Sequence, residues 1–261
     1  MRAIVPALVF ALSVSTANAA EPVPFEAIYE VSAKNWKMAG EIENVSGAQI
    51  VRLEKTCTDW MLVAQFRLDA AAEGRDIDFD TDLSGTESLD GTRYRFRSEM
   101  RMRGQKITLL AGQASRAVAG QPDRIQFNEP QERTTSLPHD ALFPVAAFVW
   151  TARQWERGQQ TANYVLFDGT TPEPVRVFEL LTGTPGKPNP MPEGDTKLLE
   201  TKAWRTTGSF HSYTGNESEP LTTLTQTVLS NGIATELSLD IGIADVTLQL
   251  RRIRALPEPK C

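Results

Sequence analysis

The chain has 261 residues and a formal net charge of −6 at pH 7, and 41% of its residues are hydrophobic. This length suits one large β domain or two small ones, and the acidic balance argues against a protein that binds nucleic acid or anionic membranes through its overall charge. With only two cysteines and two histidines, few residues are available for thiol or imidazole chemistry.

The N-terminus has the features of a secretory signal. An arginine near the start is followed by the apolar residues 3–14, and Ala17 and Ala19 match an A-x-A cleavage site. The apolar run is too short to span a bilayer, so we expect residues 1–19 to be removed; the alternative is a buried N-terminal helix. Removal takes away one arginine and no acid, which changes the charge from −6 to −7. The remaining residues 20–261, predicted to form a single domain, contain no further stretch able to cross a membrane.

The two cysteines, Cys57 and Cys261, form an even pair in a chain expected to be exported. Such a pair predicts one disulfide, with two free thiols as the alternative. Because Cys261 is the last residue, the bridge would tie the end of the chain to its N-terminal third. Closing a loop of about 200 residues stabilises a fold by roughly 5 kcal/mol if the effect is on chain entropy.

Short runs with alternating or β-branched and aromatic residues dominate the chain. These runs are FEAIYEVSA (25–33), MLVAQFRL (61–68), RYRFRSEM (93–100), YVLFD (164–168), VRVFELL (175–181), TLTQTVL (223–229), ATELSLDI (234–241) and VTLQLRR (246–252). Turn signals are present at Ser46-Gly47, Asp90-Gly91, Asp168-Gly169 and Asn231-Gly232. Many strands without a βαβ rhythm predict an antiparallel all-β fold.

The stretch DIDFDTDLSGTESLDGTRYRFRSEMRMR alternates first in acids and then in arginines. If Asp90-Gly91 forms a type I′ turn, Asp80 faces Arg101 across a hairpin with one polar and one apolar face. Asp82 would face Glu99, and we expect a β-bulge to relieve this like-charge pair.

The same acids permit a calcium-binding interpretation, because five of them match positions 1, 3, 5, 7 and 12 of an EF-hand loop: Asp76, Asp78, Asp80, Asp82 and Glu87. Thr81 stands where that loop needs glycine, and the apolar residues between the acids alternate as in a strand. We therefore expect no metal site. The interleaved arginines and aromatics also suggest a nucleic-acid surface, but the facing acids argue against it.

A single segment, HDALFPVAAFVWTARQWERG, has helical spacing, with Pro144 suited to the first turn and Gly158 just past the end. We expect this helix to fill the concave face of the sheet. A sharper hypothesis makes it a plug or gate over an apolar cavity, formed by Phe143, Phe148, Val149, Ala152 and Trp155.

After the helix, the Gly- and Pro-rich residues Gly183 to Asp195 predict a long irregular loop. His139 and His211 are interpreted as a surface side chain and a strand side chain. No motif of a hydrolase, metalloprotease or nucleotide-binding enzyme is present, so we expect no catalytic residue, cofactor or metal. A hydrolase remains an alternative only because carboxylates are abundant.

Several segments in order resemble a known family. They are KTCTDWMLVAQF, ESLDGTRYRF, SLPHDALFPVAAFVWTA, YVLFDGTTPEPV and NGIATELSLDIGIADVTLQLRRIRALPEPKC. Together they are similar to the alphaproteobacterial envelope integrity protein B (EipB) family over most of the mature chain.

This resemblance implies a periplasmic protein built on a single highly curved antiparallel sheet, a spiral or open barrel, with the helix in its concave face. It also implies the Cys57–Cys261 disulfide, a role in envelope integrity connected to a periplasmic tetratricopeptide-repeat protein, and no established catalysis. We expect a non-enzymatic binding or scaffold module. The alternative is a carrier of a lipid or other apolar ligand.

Overall fold

The computed structural model describes residues 20–35, 42–72, 75–117, 122–215, 218–240 and 244–261. The predicted signal, residues 1–19, lies outside these ranges. Within them the chain forms sixteen strands, one α-helix and a short 3₁₀ helix. The strands are β1 Phe25–Lys34, β2 Ile42–Lys55, β3 Asp59–Ala72, β4 Arg75–Ser88, β5 Arg93–Met102, β6 Gln105–Ser115, β7 Arg124–Glu129, β8 Arg133–Ser136, β9 Ala141–Leu142, β10 Thr161–Leu166, β11 Val175–Gly183, β12 Glu193–Gly194, β13 Ala203–Ser212, β14 Thr222–Leu229, β15 Ala234–Asp240 and β16 Asp245–Ala255. The helices are α1 Pro144–Glu156 and the 3₁₀ helix Thr196–Leu199.

All sixteen strands belong to one sheet, in the order β8-β7-β6-β5-β4-β3-β2-β1-β16-β15-β14-β13-β11-β10-β9, with β12 beside β16. The order is an open path, so β8 and β9 are not hydrogen-bonded to each other. Neighbours are antiparallel except for the short β9–β10 and β12–β16 pairs, which are parallel. The predicted all-β class, a single curved and unclosed sheet with one helix, is confirmed. The first and last strands, β1 and β16, lie side by side at the middle of the path.

The main core lies on the inner face of the central strands, and every second side chain is buried along most of β1 and β16. Tyr29 of β1, Leu68 of β3 and Leu250 of β16 are members of this core. The inward alternation of apolar residues is what a sheet with one solvated face requires. The outer face carries charged ladders, such as Glu26 of β1 between Arg52 and Arg254.

An aromatic cluster joins β5 to the segment around β9 and β10. The ring centroids of Phe96 and Phe167 are 5.2 Å apart, and those of Tyr94 and Phe143 are 5.4 Å apart. The Tyr94 hydroxyl donates a hydrogen bond to the carbonyl oxygen of Asp168 over 2.8 Å. Side-chain packing therefore joins these two parts of the spiral, which the hydrogen-bond path keeps far apart.

The charged hairpin has the predicted register, but two predicted details are wrong. Asp80 pairs with Arg101 as expected. The turn is not type I′, because Gly91 has a φ of +67° whereas Asp90 does not have a positive φ; the Gly91 N–H donates to the Ser88 carbonyl over 2.8 Å. Residues 89–92 connect the two strands. This connection has the same centre as the predicted two-residue turn, so the strands pair in the predicted register.

The predicted bulge at the like-charge pair is also wrong, because Asp82 and Glu99 face each other without a shift between β4 and β5. Arginines neutralise the pair instead. Arg67 of β3 contacts Asp82 at 2.9 Å, and Glu99 lies between Arg97 at 2.8 Å and Arg101. Arginines on β3 and on β5 itself thus compensate the like charges without a bulge.

Two further predictions are corrected. Ser46-Gly47 lies inside β2 and not in a turn, with a register shift between Glu43 and Ser46. A Cβ on Gly47 would lie 2.6 Å from the carbonyl oxygen of Arg67, so glycine permits the strands to approach closely. The predicted irregular loop, Gly183 to Asp195, includes the short strand β12, which pairs with β16.

Candidate ligand-binding cavity

Helix α1 begins and ends where the sequence predicts. Pro144 occupies the first helical turn, and Gly158, with a φ of +77°, follows the end. The residue at the N-cap, Phe143, makes no side-chain capping bond. Capping comes from β4 instead, because the Glu87 carboxylate accepts the Val145 N–H over 2.7 Å and the Ala146 N–H over 2.8 Å.

Glu87 is therefore a structural acid at the positive end of a helix and not a calcium ligand. Its side chain is almost completely buried. Burial raises the pKa of Glu87 to about 7, although the two N–H bonds act to lower it. Sequence reasoning missed this role, since the contact spans 58 positions along the chain.

A cavity of about 470 Å³ lies between α1 and the concave face of the sheet. This volume is within the range of about 300–1,000 Å³ typical of small-molecule sites. Most of its wall is apolar, and the apolar lining from the strands includes Phe25, Leu53, Leu62, Leu83, Leu224 and Val228. The structure thus contains a ligand-sized space beneath the helix.

The five residues predicted to form a plug do not all reach this cavity. Phe148, Ala152 and Trp155 line it from the helix. Val149 instead lines a separate groove near the N-terminal segment, together with Ala20 and Lys55 among others. Phe143 is fully buried in the aromatic cluster between Tyr94 and α1. Whether the helix moves as a gate remains a prediction.

Two acidic residues, Asp168 and Glu179, line the mostly apolar wall, and Glu179 is the more deeply buried of the two. Glu179 is only 5% exposed, because it occupies the inward register of β11 together with Val175 and Val177. It accepts hydrogen bonds from the Tyr164 hydroxyl at 3.4 Å and from the Gln226 amide nitrogen at 3.3 Å. Burial, and then the charge of Glu179, hold the pKa of Tyr164 well above its usual value, so the tyrosine stays a hydrogen-bond donor.

Glu179 is the functional candidate that sequence reasoning missed. The run VRVFELL was identified as a strand, and its alternation places Val175, Val177 and Glu179 on one face. A glutamate at a position where the alternation requires an apolar residue could have indicated this buried acid from the sequence.

The remaining candidate chemistry lies elsewhere. His139 Nδ1 is 3.1 Å from a carboxylate oxygen of Asp123, next to Arg116, in a highly exposed position. His211 Nε2 lies 3.1 Å from the Ser209 hydroxyl. Neither His139 nor His211 lines the cavity beneath the helix. In the part of the chain that the structure describes, no three acidic, histidine or cysteine side chains are grouped to hold a metal ion.

The predicted disulfide is present between Cys57 and Cys261, whose Cα atoms are 5.7 Å apart. It joins the turn between β2 and β3 to the last residue of the chain, which follows β16. Among the described residues, no helix combines the length and hydropathy that a bilayer crossing requires.

Comparisons with known proteins place the chain in context. The model of the EipB-like family matches residues 16–257. A crystal structure of a beta-barrel-like protein of the domain of unknown function DUF1849, from Brucella abortus, superposes with a TM-score of 0.78. The match has 17% sequence identity and covers 91% of this chain and 99% of that chain, so this similarity shows the fold alone. A search of curated proteins finds no match.

Proposed function

Because this chain belongs to the EipB-like family, we propose that it is a non-enzymatic periplasmic protein that maintains the integrity of the cell envelope, acting as a binding or scaffold module. The observation that carries the proposal is the ligand-sized cavity between α1 and the sheet. The signal-like residues 1–19 and the disulfide support export to an oxidising compartment. On this proposal residues 20–261 are the mature protein and form one domain.

Deletion of the gene tests the envelope role. Cells that lack the protein should become more sensitive to detergents and to antibiotics that act on the cell wall. Plasmid-borne wild-type protein should restore resistance, which controls for effects on neighbouring genes. Unchanged sensitivity across several such stresses would count against the proposal.

The proposed partner is a periplasmic tetratricopeptide-repeat protein, as the family resemblance implies. Crosslinking in intact cells, followed by purification and mass spectrometry, should recover such a protein with this chain. Recovery of the bait without any repeat protein would remove this partner.

The second candidate function is that of a carrier for a lipid or other apolar ligand. It is favoured by the apolar wall of the cavity, which Phe25, Leu53 and Leu224 form together with α1. Enclosing an alkyl chain there would remove its surface from water, at about 25 cal/mol per Å². Mass spectrometry of gently purified protein should detect a bound lipid. Protein that is empty and does not bind labelled lipids would remove this function.

A further inference from the structure

We propose that the cavity beneath α1 holds a single-chain amphiphile with an amine head group, and that Glu179 binds the ammonium. The inference rests on the carrier function proposed above and names the chemical class of its ligand. Charge, unused hydrogen-bonding capacity and volume support it independently.

The charge of the cavity wall favours a cation. Among the described residues, two acids line it, Asp168 and Glu179, and no lysine, arginine or histidine does. Asp168 is already engaged in a turn, where it accepts the Thr170 N–H over 2.9 Å and the Thr170 hydroxyl over 2.7 Å. Glu179 is the better candidate to bind a cation, because it is more deeply buried than Asp168 and its two hydrogen bonds are longer. A carboxylate or phosphate head group would meet like charge here.

Glu179 is incompletely satisfied by the protein. A carboxylate has about four acceptor positions, and this one receives two hydrogen bonds, at 3.3 and 3.4 Å, both beyond the usual N–H···O and O–H···O range. It forms no ion pair within the part of the chain that the structure describes. Leaving a buried carboxylate without a countercharge is unfavourable, typically by several kcal/mol. An ammonium would supply both the charge and the missing donors.

A polar atom without a hydrogen-bond partner in the described part of the chain lies on β13, opposite Gln226 of β14. The hydroxyl of Thr206 is fully buried and has no hydrogen-bond partner among the described residues. Thr206 pairs with Gln226 across β13 and β14, and Gln226 contacts Glu179. Buried polar atoms in folded proteins are normally hydrogen-bonded, and an exception suggests a partner that is absent. Thr206 is not itself among the residues that line the cavity, but hydrogen-bonding capacity is unused next to Gln226, which does line it.

The rest of the cavity suits one hydrocarbon chain. At roughly 30 Å³ for a water-sized group such as a methylene, a twelve-carbon chain takes up roughly 360 Å³. One such chain fits in about 470 Å³, whereas two do not. Trp155 and Trp204 line the cavity, so a bound chain should change the tryptophan fluorescence.

The test compares three probes that have the same twelve-carbon alkyl chain and differ in their head group: dodecylamine, dodecanol and dodecanoate. Each is titrated below its micelle concentration into the purified, disulfide-bonded protein, with fluorescence and calorimetry as readouts. Because a charged hydrogen bond contributes about 1.5–3 kcal/mol, the amine should bind at least about tenfold more tightly than the alcohol or the carboxylate. Glu179→Gln should lose about tenfold in amine affinity and leave alcohol affinity within about twofold.

Glu236→Gln is the matched control, since it removes the same charge from a half-exposed position outside the cavity lining. It should bind all three probes like the wild type. Equal affinity for the three probes, tightest binding of dodecanoate, or unchanged amine affinity in Glu179→Gln would overturn the inference but leave the carrier function standing. Binding of none of them would overturn both. The wild-type series decides between these outcomes even if Glu179→Gln proves unstable.

Discussion

The Glu87 carboxyl group is buried between β4 and the first turn of α1. It accepts two backbone N–H groups of the helix, at 2.7 and 2.8 Å, which have no partner within the helix itself. Burial nevertheless raises its pKa from 4.5 to about 7. The folded protein therefore favours the protonated acid more than the unfolded chain does. The contribution of Glu87 to stability is complete below about pH 4.5 and is lost as the pH rises to about 7.

Glutamine in place of Glu87 should remove this pH dependence, because an amide resembles the protonated acid and does not titrate. The wild-type free energy of unfolding should fall by up to about 3 kcal/mol between pH 4.5 and 7, and the Glu87→Gln value should fall by much less. Denaturant unfolding at several pH values measures both. Glu54→Gln, on the outer face of β2, is the matched control, in which the pH dependence due to Glu87 should persist. Identical profiles for Glu87→Gln and the wild type would show that Glu87 does not titrate as described.

Eight of the sixteen described strands could be predicted as separate runs because alternation is a local property of the sequence. The eight predicted runs all lie within or largely overlap observed strands, and Pro144 and Gly158 correctly marked the helix. Ser46-Gly47 was misleading, because a glycine needed for close strand approach has the same sequence signature as one in a turn. The parallel pair β12–β16 and the contacts of Glu87 and Glu179 depend on distant residues, which no local pattern encodes.

The turn between β10 and β11 brings glycine against the aromatic cluster. Gly169 has a φ of +76°, and a Cβ there would lie 2.5 Å from Phe96. Gly158, after α1, has nearly the same φ of +77° but no atom within 4 Å of such a Cβ. Comparing substitutions at the two glycines therefore separates the cost of the left-handed backbone conformation from the cost of steric crowding.

Gly158→Ala should destabilise by about 1 kcal/mol, since only the left-handed backbone conformation is affected. Gly169→Ala should destabilise by about 2–4 kcal/mol, because crowding against Phe96 is added. Chemical denaturation of the two variants gives the difference directly. Equal losses would mean that crowding against Phe96 adds no cost at Gly169.

The fold is completed by contacts between the beginning and the end of the chain. β1 and β16 are neighbours in the sheet, and the disulfide joins Cys57 to Cys261 over a sequence separation of 204 residues. β16 is paired on one side with β1 and on the other with β15, but residues 256–261, which follow it, belong to no strand. The crosslink restricts the unfolded chain and fixes the segment that follows β16.

Replacing either cysteine with serine should therefore lower the Tm by several degrees, since about 1 kcal/mol corresponds to about 2–4 °C at this size. The Tm should fall by the same amount in Cys57→Ser and in Cys261→Ser, because each substitution removes the same disulfide. Calorimetry under non-reducing conditions is the measurement. A variant that melts with the oxidised wild type would contradict a stabilising role for the bridge.

We propose that this protein acts in the envelope through the cavity beneath α1, and filling that cavity tests this claim most directly. Ala147 lines the cavity from the helix, so Ala147→Trp should occupy part of the space where a ligand would lie. Ala255→Trp, at an exposed position on β16, is the matched control. In a deletion strain, with protein levels verified by immunoblot, we expect Ala255→Trp to restore detergent resistance and Ala147→Trp to fail. Full restoration by Ala147→Trp would contradict the claim.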